Sequence, residues 1–249
     1  MICAGRVTVY NIIIGKRTDG FCFFYYFREN LSHQRNHPFA GRQYFFIFEF
    51  MSHRLHLSKD KKLQKIVSLQ EEYVITKRDN IHLHLCASII SQQLSTKVAD
   101  VIYGRFLKLF KKKAPSPKDI LALDFETLRG IGLSNAKTNY VINVCNFFIE
   151  NNLTDARLHK MEDEALIDFL TQIKGIGRWT SEMILMFTLG REDVFALDDL
   201  GIQQAMTKLY KLDAADKKTM KQEMTVISEK WRPYRTYACR YLWNWKDKK

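Results

Sequence analysis

From residue 51 onward the sequence predicts an all-α protein, on three observations. Apolar residues recur at a helical period along most of that stretch, the whole chain holds only four prolines, and no segment alternates for long like a half-buried strand. The first long helical stripe runs from Leu83 to Phe110. It carries Leu85, Ile89, Ile90, Leu94, Val98, Val101, Ile102, Phe106 and Leu109, and it breaks around Gln92 to Thr96. Lys111-Lys112-Lys113-Ala114-Pro115-Ser116-Pro117 ends it as a basic linker punctuated by proline. Asp119 to Leu128 reads as a short helix, and Gly130-Ile131-Gly132 as a turn into a helix over Asn135 to Glu150. Glu162 to Leu170 leads to a second glycine turn, Gly175-Ile176-Gly177, and Thr180 to Leu189 follows it. Asp199 to Tyr210 and Lys217 to Trp245 complete the helices. The two Gly-Ile-Gly turns lie 45 residues apart, but their flanks differ, so they do not make a repeat array.

Residues 1–50 read differently. Phe21-Cys22-Phe23-Phe24-Tyr25-Tyr26-Phe27 and Tyr44-Phe45-Phe46-Ile47-Phe48 sit among Arg, His, Asn and Gly without a sustained helical period. The apolar runs fall short of the ~18 residues of a membrane span, and Lys16, Arg17 and Asp19 interrupt a signal-peptide pattern. This stretch is expected to be a non-domain extension, with Met51 the natural start, or else a targeting segment. Residues 51–249 are expected to form one helical domain.

The 249 residues carry a formal charge of +12, of which residues 1–50 supply +3, so the basic bias belongs mainly to the helical part. A polyanionic partner would suit it, although solvated lysine alone gives the same count. Five cysteines, Cys3, Cys22, Cys86, Cys145 and Cys239, are odd in number and never spaced Cys-x-x-Cys. That speaks against a disulfide framework and for a reducing, intracellular compartment: cytoplasm or nucleoid in a bacterium, nucleus in a eukaryote. No membrane association is expected. His82-Leu83-His84 has no carboxylate or cysteine partner at ligand spacing, so no histidine metal site is expected.

The chemistry concentrates in Lys174-Gly175-Ile176-Gly177-Arg178-Trp179-Thr180-Ser181 and, further on, Leu197-Asp198-Asp199-Leu200-Gly201-Ile202. Two glycines around an apolar residue permit a tight turn, and the helix after it begins with unpaired N–H groups that suit a phosphate oxygen. Such a turn holds a DNA backbone without reading bases. An aspartate placed directly before Ile202-Gln203-Gln204-Ala205-Met206 is also what a helix N-cap looks like. In this order and spacing the segments resemble the helix-hairpin-helix DNA glycosylases with a Gly/Pro-rich loop and catalytic aspartate (HhH-GPD). Within that superfamily they are most similar to the 3-methyladenine DNA glycosylase II, or AlkA-like, branch. The resemblance runs over roughly Ile81 to Trp245, and Trp231-Arg232-Pro233-Tyr234-Arg235-Thr236-Tyr237-Ala238 extends it C-terminally.

The resemblance implies a compact helical fold with a DNA cleft between two helical lobes. It also implies a monomeric enzyme that flips an alkylated purine out of damaged double-stranded DNA and hydrolyses its glycosidic bond. Asp199 takes the catalytic position, with Asp198 its neighbour by one residue. Trp179 and Trp243 would line the base pocket, while Trp231 and Trp245 read as core. Gly175, Ile176, Gly177, Arg178 and Thr180 would form the hairpin against the DNA backbone. Gln93 or Leu94 would fill the gap left in the duplex, unless Leu94 is a core residue. Bifunctional relatives carry a nucleophilic lysine where this chain has Trp179, and an indole supplies no amine, so a monofunctional enzyme is expected. No cofactor is required. A structural sodium or potassium ion on the backbone carbonyls of Thr171, Ile173 and Ile176 is implied. Another lesion or mismatch, or a non-catalytic DNA-binding module, remains the alternative. Larger AlkA-like enzymes carry an N-terminal α/β domain before the helical core; with only about thirty residues between Met51 and Ile81, the compact single-domain version is expected here.

Overall fold

Short polar caps punctuate the helices. In a computed structural model the backbone is described for residues 9–16 and 22–29, and the whole of residues 53–247. The chain divides into two units, Met1–Glu49 and Phe50–Lys249. In the first, β1 (Val9–Lys16) pairs antiparallel with β2 (Cys22–Glu29), Val9 opposite Glu29 and Lys16 opposite Cys22. The sequence reading missed this hairpin because β2 is apolar at consecutive positions and shows no period of two. The Tyr44 to Phe48 run and the Met51 start lie outside the described residues.

Among the described residues of the second unit the regular structure is all helical. Helix α1 covers 53–57, and α2 (Lys61–Val67), α3 (Ile81–Ser91), α4 (Thr96–Lys108), α5 (Pro117–Leu121) and α6 (Phe125–Gly130) follow. Next come α7 (Asn135–Glu150), α8 (Asp155–Lys160), α9 (Asp163–Leu170), α10 (Arg178–Phe187), α11 (Leu200–Tyr210), α12 (Lys217–Glu229) and α13 (Arg235–Asp247). None of these is long and apolar enough to cross a membrane.

Two expected helices are each two. The 119–128 stretch splits because Ser116 forms a reciprocal capping box with Asp119, and Asp124 then accepts from the Thr127 amide and starts α6 anew. The 217–245 stretch breaks at residues 230–234, where Pro233 has no N–H to continue a helix and the Tyr234 amide turns back onto the Trp231 carbonyl. Helix α8, capped by Thr154, was too short to show a period.

Helix α3 packs on α4 and α7, and α7 on α5 and α6, forming one group of helices. The second group is built on α11, which packs against α2, α12 and α13; α10 packs on both α9 and α3. One continuous apolar core, from Leu57 to Leu242, runs through both. The burial of Trp231, 1 % exposed, fits its reading as core.

Candidate active site

The hairpin joins α9 to α10, and its two glycines do different things. Gly175 has φ +107°, and a Cβ there would lie 2.4 Å from the Tyr140 ring of α7, so both backbone and packing exclude a side chain. At Gly177, the N-cap of α10, a Cβ would meet nothing within 4 Å and φ is an ordinary −102°. No side chain caps α10, and the first helical bond there runs from the Ser181 amide to the Gly177 carbonyl. The amides before it make no backbone hydrogen bond among the described residues and so stay open at the positive end of the helix. Ile176 is buried beneath the turn, and Thr180 is buried in the first turn of α10. Arg178 is engaged with protein: it donates to both oxygens of Glu164 at 2.7 and 2.9 Å and to Glu182 at 3.1 Å.

Residues 92–95 form the break between α3 and α4, held to both glycine turns. Gln92 donates to the Gly175 carbonyl at 3.1 Å. Lys137, just after the first turn, donates to the carbonyls of Ile90 and Gln92 at 2.8 and 2.6 Å. This pinned loop presents Gln93, in the left-handed region at φ +57°, and Leu94, 38 % exposed rather than in the core.

Asp199 is the N-cap of α11: its Oδ1 accepts from the Ile202 amide at 2.8 Å. It is more than a cap, because the Trp243 indole N–H donates to the same oxygen at 2.7 Å and the Trp179 indole N–H to Oδ2 at 2.8 Å. Three N–H donors thus converge on one carboxyl group and fix its orientation. Gly201 makes the approach possible, since a Cβ there would sit 3.0 Å from both Asp199 Oδ1 and Trp243 Cδ1. Asp198 turns away to an ion pair with Lys221 of α12. Trp179 is 46 % exposed and Leu200 66 %, so the carboxylate stands at an open apolar rim. Half-buried Met183 and Phe187 continue the Trp179 face of α10, and Phe187 packs 5.9 Å from Trp243.

Behind this face Glu182 is buried, and burial pushes its carboxyl up to about 7 although Arg178 pulls the other way. Its Oε2 has no partner among the described residues. Among those residues no cluster of three His, Cys, Asp or Glu could hold a metal, and the His82 ring is bonded to the Pro115 carbonyl at 2.8 Å. The Ile173 carbonyl of the hairpin accepts from the Ile176 amide at 2.9 Å, leaving its second lone pair. Sequence reasoning missed Gln92, Lys137 and Gly201 as positioning residues. For two of them a signal was present: Lys137 follows the first glycine turn, and Gly201 lies two residues after the aspartate.

A helical fold with a glycine hairpin feeding one helix and a capping aspartate opening the next defines a class of DNA repair protein. Residues 86–233 match the model of the HhH-GPD superfamily base excision DNA repair proteins, and the chain belongs to that superfamily. It is 35% identical to DNA-3-methyladenine glycosylase 1 of Schizosaccharomyces pombe over 185 residues, covering 74% of this chain and 80% of that one. The crystal structure of a Bacillus halodurans DNA-3-methyladenine glycosidase superposes with a TM-score of 0.69 at 34% identity, over 78% of this chain and 88% of that one. The Schizosaccharomyces pombe enzyme in complex with abasic DNA superposes at 0.66 and 32% identity, over 78% and 95%.

Proposed function

We propose that the protein is a monofunctional DNA glycosylase of base excision repair that releases alkylated purines of the 3-methyladenine and 7-methylguanine type. The observation that carries this is the Asp199 carboxylate, fixed in orientation by two indole N–H groups and its own helix. The names of its relatives support the same substrate class. Extruding a damaged base costs a few kcal/mol, and the pinned loop with Gln93 and Leu94 at its tip would fill the gap. The open amides of α10 beyond Gly177 would hold a phosphate, with a sodium or potassium ion on the carbonyls of Thr171, Ile173 and Ile176 nearby. Because Arg178 is paired twice, it would orient this turn and not meet phosphate directly.

A cationic alkylated base leaves as a neutral molecule, so departure asks little of a general acid. The charge to be stabilised develops at the sugar, where a fixed carboxylate acts as in glycosidases. Oδ1 of Asp199 already accepts two bonds and Oδ2 one. Movement of exposed Trp179 onto the base would therefore free Oδ2 for the attacking water. With tryptophan at position 179 no amine is supplied there for a Schiff base, so the DNA strand stays intact. One lesion needs one pocket, which a monomer supplies, and the chain would act inside the cell, where DNA and reducing conditions coincide.

The test is to incubate the full chain with methylated duplex and measure released bases and strand breaks separately. Methylpurine release with breaks only after alkali is expected; direct nicking contradicts the monofunctional assignment, and no release contradicts the reaction.

A further inference from the structure

Arg240 differs from the arginines around it. Arg178, Arg191, Arg232 and Arg235 each pair with a carboxylate. Half-buried Arg240 makes no hydrogen bond or ion pair among the described residues, and its Nε is closed off from solvent with no acceptor. Rings cover it instead: the guanidinium carbon lies 4.6 Å from the Tyr73 ring centre and 5.4 Å from that of Phe187. Burial lowers its pKa, Tyr73, Tyr237 and Tyr241 act in the opposite direction, and the one charged side chain among these influences is a like one, Arg78. Only Nε is closed off from solvent, so the outer N–H groups of the fork remain available to an acceptor that arrives from outside.

Its place says which acceptor. Arg240 stands one turn before Trp243 on α13, on the same side of the helix, and both pack against Phe187. The fork therefore adjoins the wall that begins at Asp199 and Trp179. A guanine-type base offers a carbonyl oxygen at position 6, where an adenine-type base carries an amino donor. Resting on the glycosylase reading above, we propose that Arg240 is a specificity-determining residue of the base pocket. It donates to the carbonyl oxygen of a flipped 7-alkylguanine and disfavours 3-alkyladenine, whose amino group meets it donor to donor. The positive charge of the alkylated base is lost as the glycosidic bond breaks, so repulsion from the guanidinium relaxes along the reaction and favours departure.

The experiment compares release of 7-methylguanine and 3-methyladenine from methylated duplex by the full chain, Arg240→Met and Arg240→Lys, each relative to spontaneous loss. Affinity for abasic-site DNA is measured alongside. The 7-methylguanine to 3-methyladenine ratio should fall about tenfold or more in Arg240→Met, recover in part in Arg240→Lys, and leave abasic-site affinity as in the parent. An unchanged ratio overturns the assignment, and so does weakened abasic-site binding with a shallower salt dependence, which marks a phosphate contact. Should Arg240→Met fail to fold, the unmodified chain decides. It should release an N7-methylated 2-aminopurine, which lacks the carbonyl, about tenfold more slowly than 7-methylguanine after the same correction. Equal rates overturn the proposal and leave the glycosylase reaction standing, whereas release of no alkylated base from any duplex overturns that reaction itself.

Discussion

Asp199 shows how one residue serves two purposes. As a cap it satisfies the Ile202 amide, and as a carboxylate it is held by indoles 20 and 44 residues away in sequence. The cap was legible from Asp-x-x-Ile, but the two indole bonds were not, because each depends on how helices far apart in the chain pack. Trp243→Phe keeps a ring beside Phe187 and removes one N–H from Asp199. Single-turnover base release should fall by about tenfold, the worth of a charge-assisted bond, while abasic-site binding persists. Unchanged release would mean that this bond does not orient the carboxylate. Glu182 gives a separate test. Its carboxyl, ordinarily near 4.5, is raised to about 7 by burial, so ionising it costs the folded state more than the unfolded chain. The stabilisation is complete below 4.5 and is lost as pH rises through about 7, a term of roughly 3 kcal/mol. Urea midpoints should show Glu182→Gln more stable than its parent at about pH 8 and level with it at about pH 4. A parent as stable as the variant at pH 8 would show that the carboxyl ionises freely.

At the scale of elements, the hairpin separates folding from binding. Gly175→Ala puts a Cβ into the Tyr140 ring at positive φ, and should destabilise by about 2 kcal/mol or more. Gly177→Ala meets nothing, so its thermal midpoint should hold, while affinity for duplex should fall if the open amides receive a phosphate. Equal effects of the two substitutions on stability and binding would contradict this division. The sequence carried the helices whose apolar stripe exceeds two turns, α3 and α4 among them, together with the break at residues 92–95. It failed where caps decide. Asp124 and Pro233 each divide a stripe whose apolar spacing runs on, because a capped restart leaves the hydrophobic period intact. Lys137 was visible after its turn, yet its grip on the Ile90 and Gln92 carbonyls depends on α3 lying against α7.

For the whole molecule, the charge of +12 points to binding governed by counterion release. Neutralising even two phosphates should lower duplex affinity by about tenfold between 50 and 200 mM salt. Binding indifferent to salt would exclude the hairpin as a phosphate holder. The helical architecture was legible because periodicity reports burial directly. The β1–β2 hairpin in Met1–Glu49 was not, since consecutive aromatic residues carry no period of two. Base release through Asp199 is tested most directly by single-turnover 7-methylguanine release from methylated duplex by the full chain and its Asp199→Asn variant, with abasic-site affinity measured in parallel. A loss of about a hundredfold or more in release with affinity preserved is predicted, as expected for removal of a charge that acts at the transition state. Release by Asp199→Asn at the parent's rate would leave Asp199 as nothing more than the cap of α11.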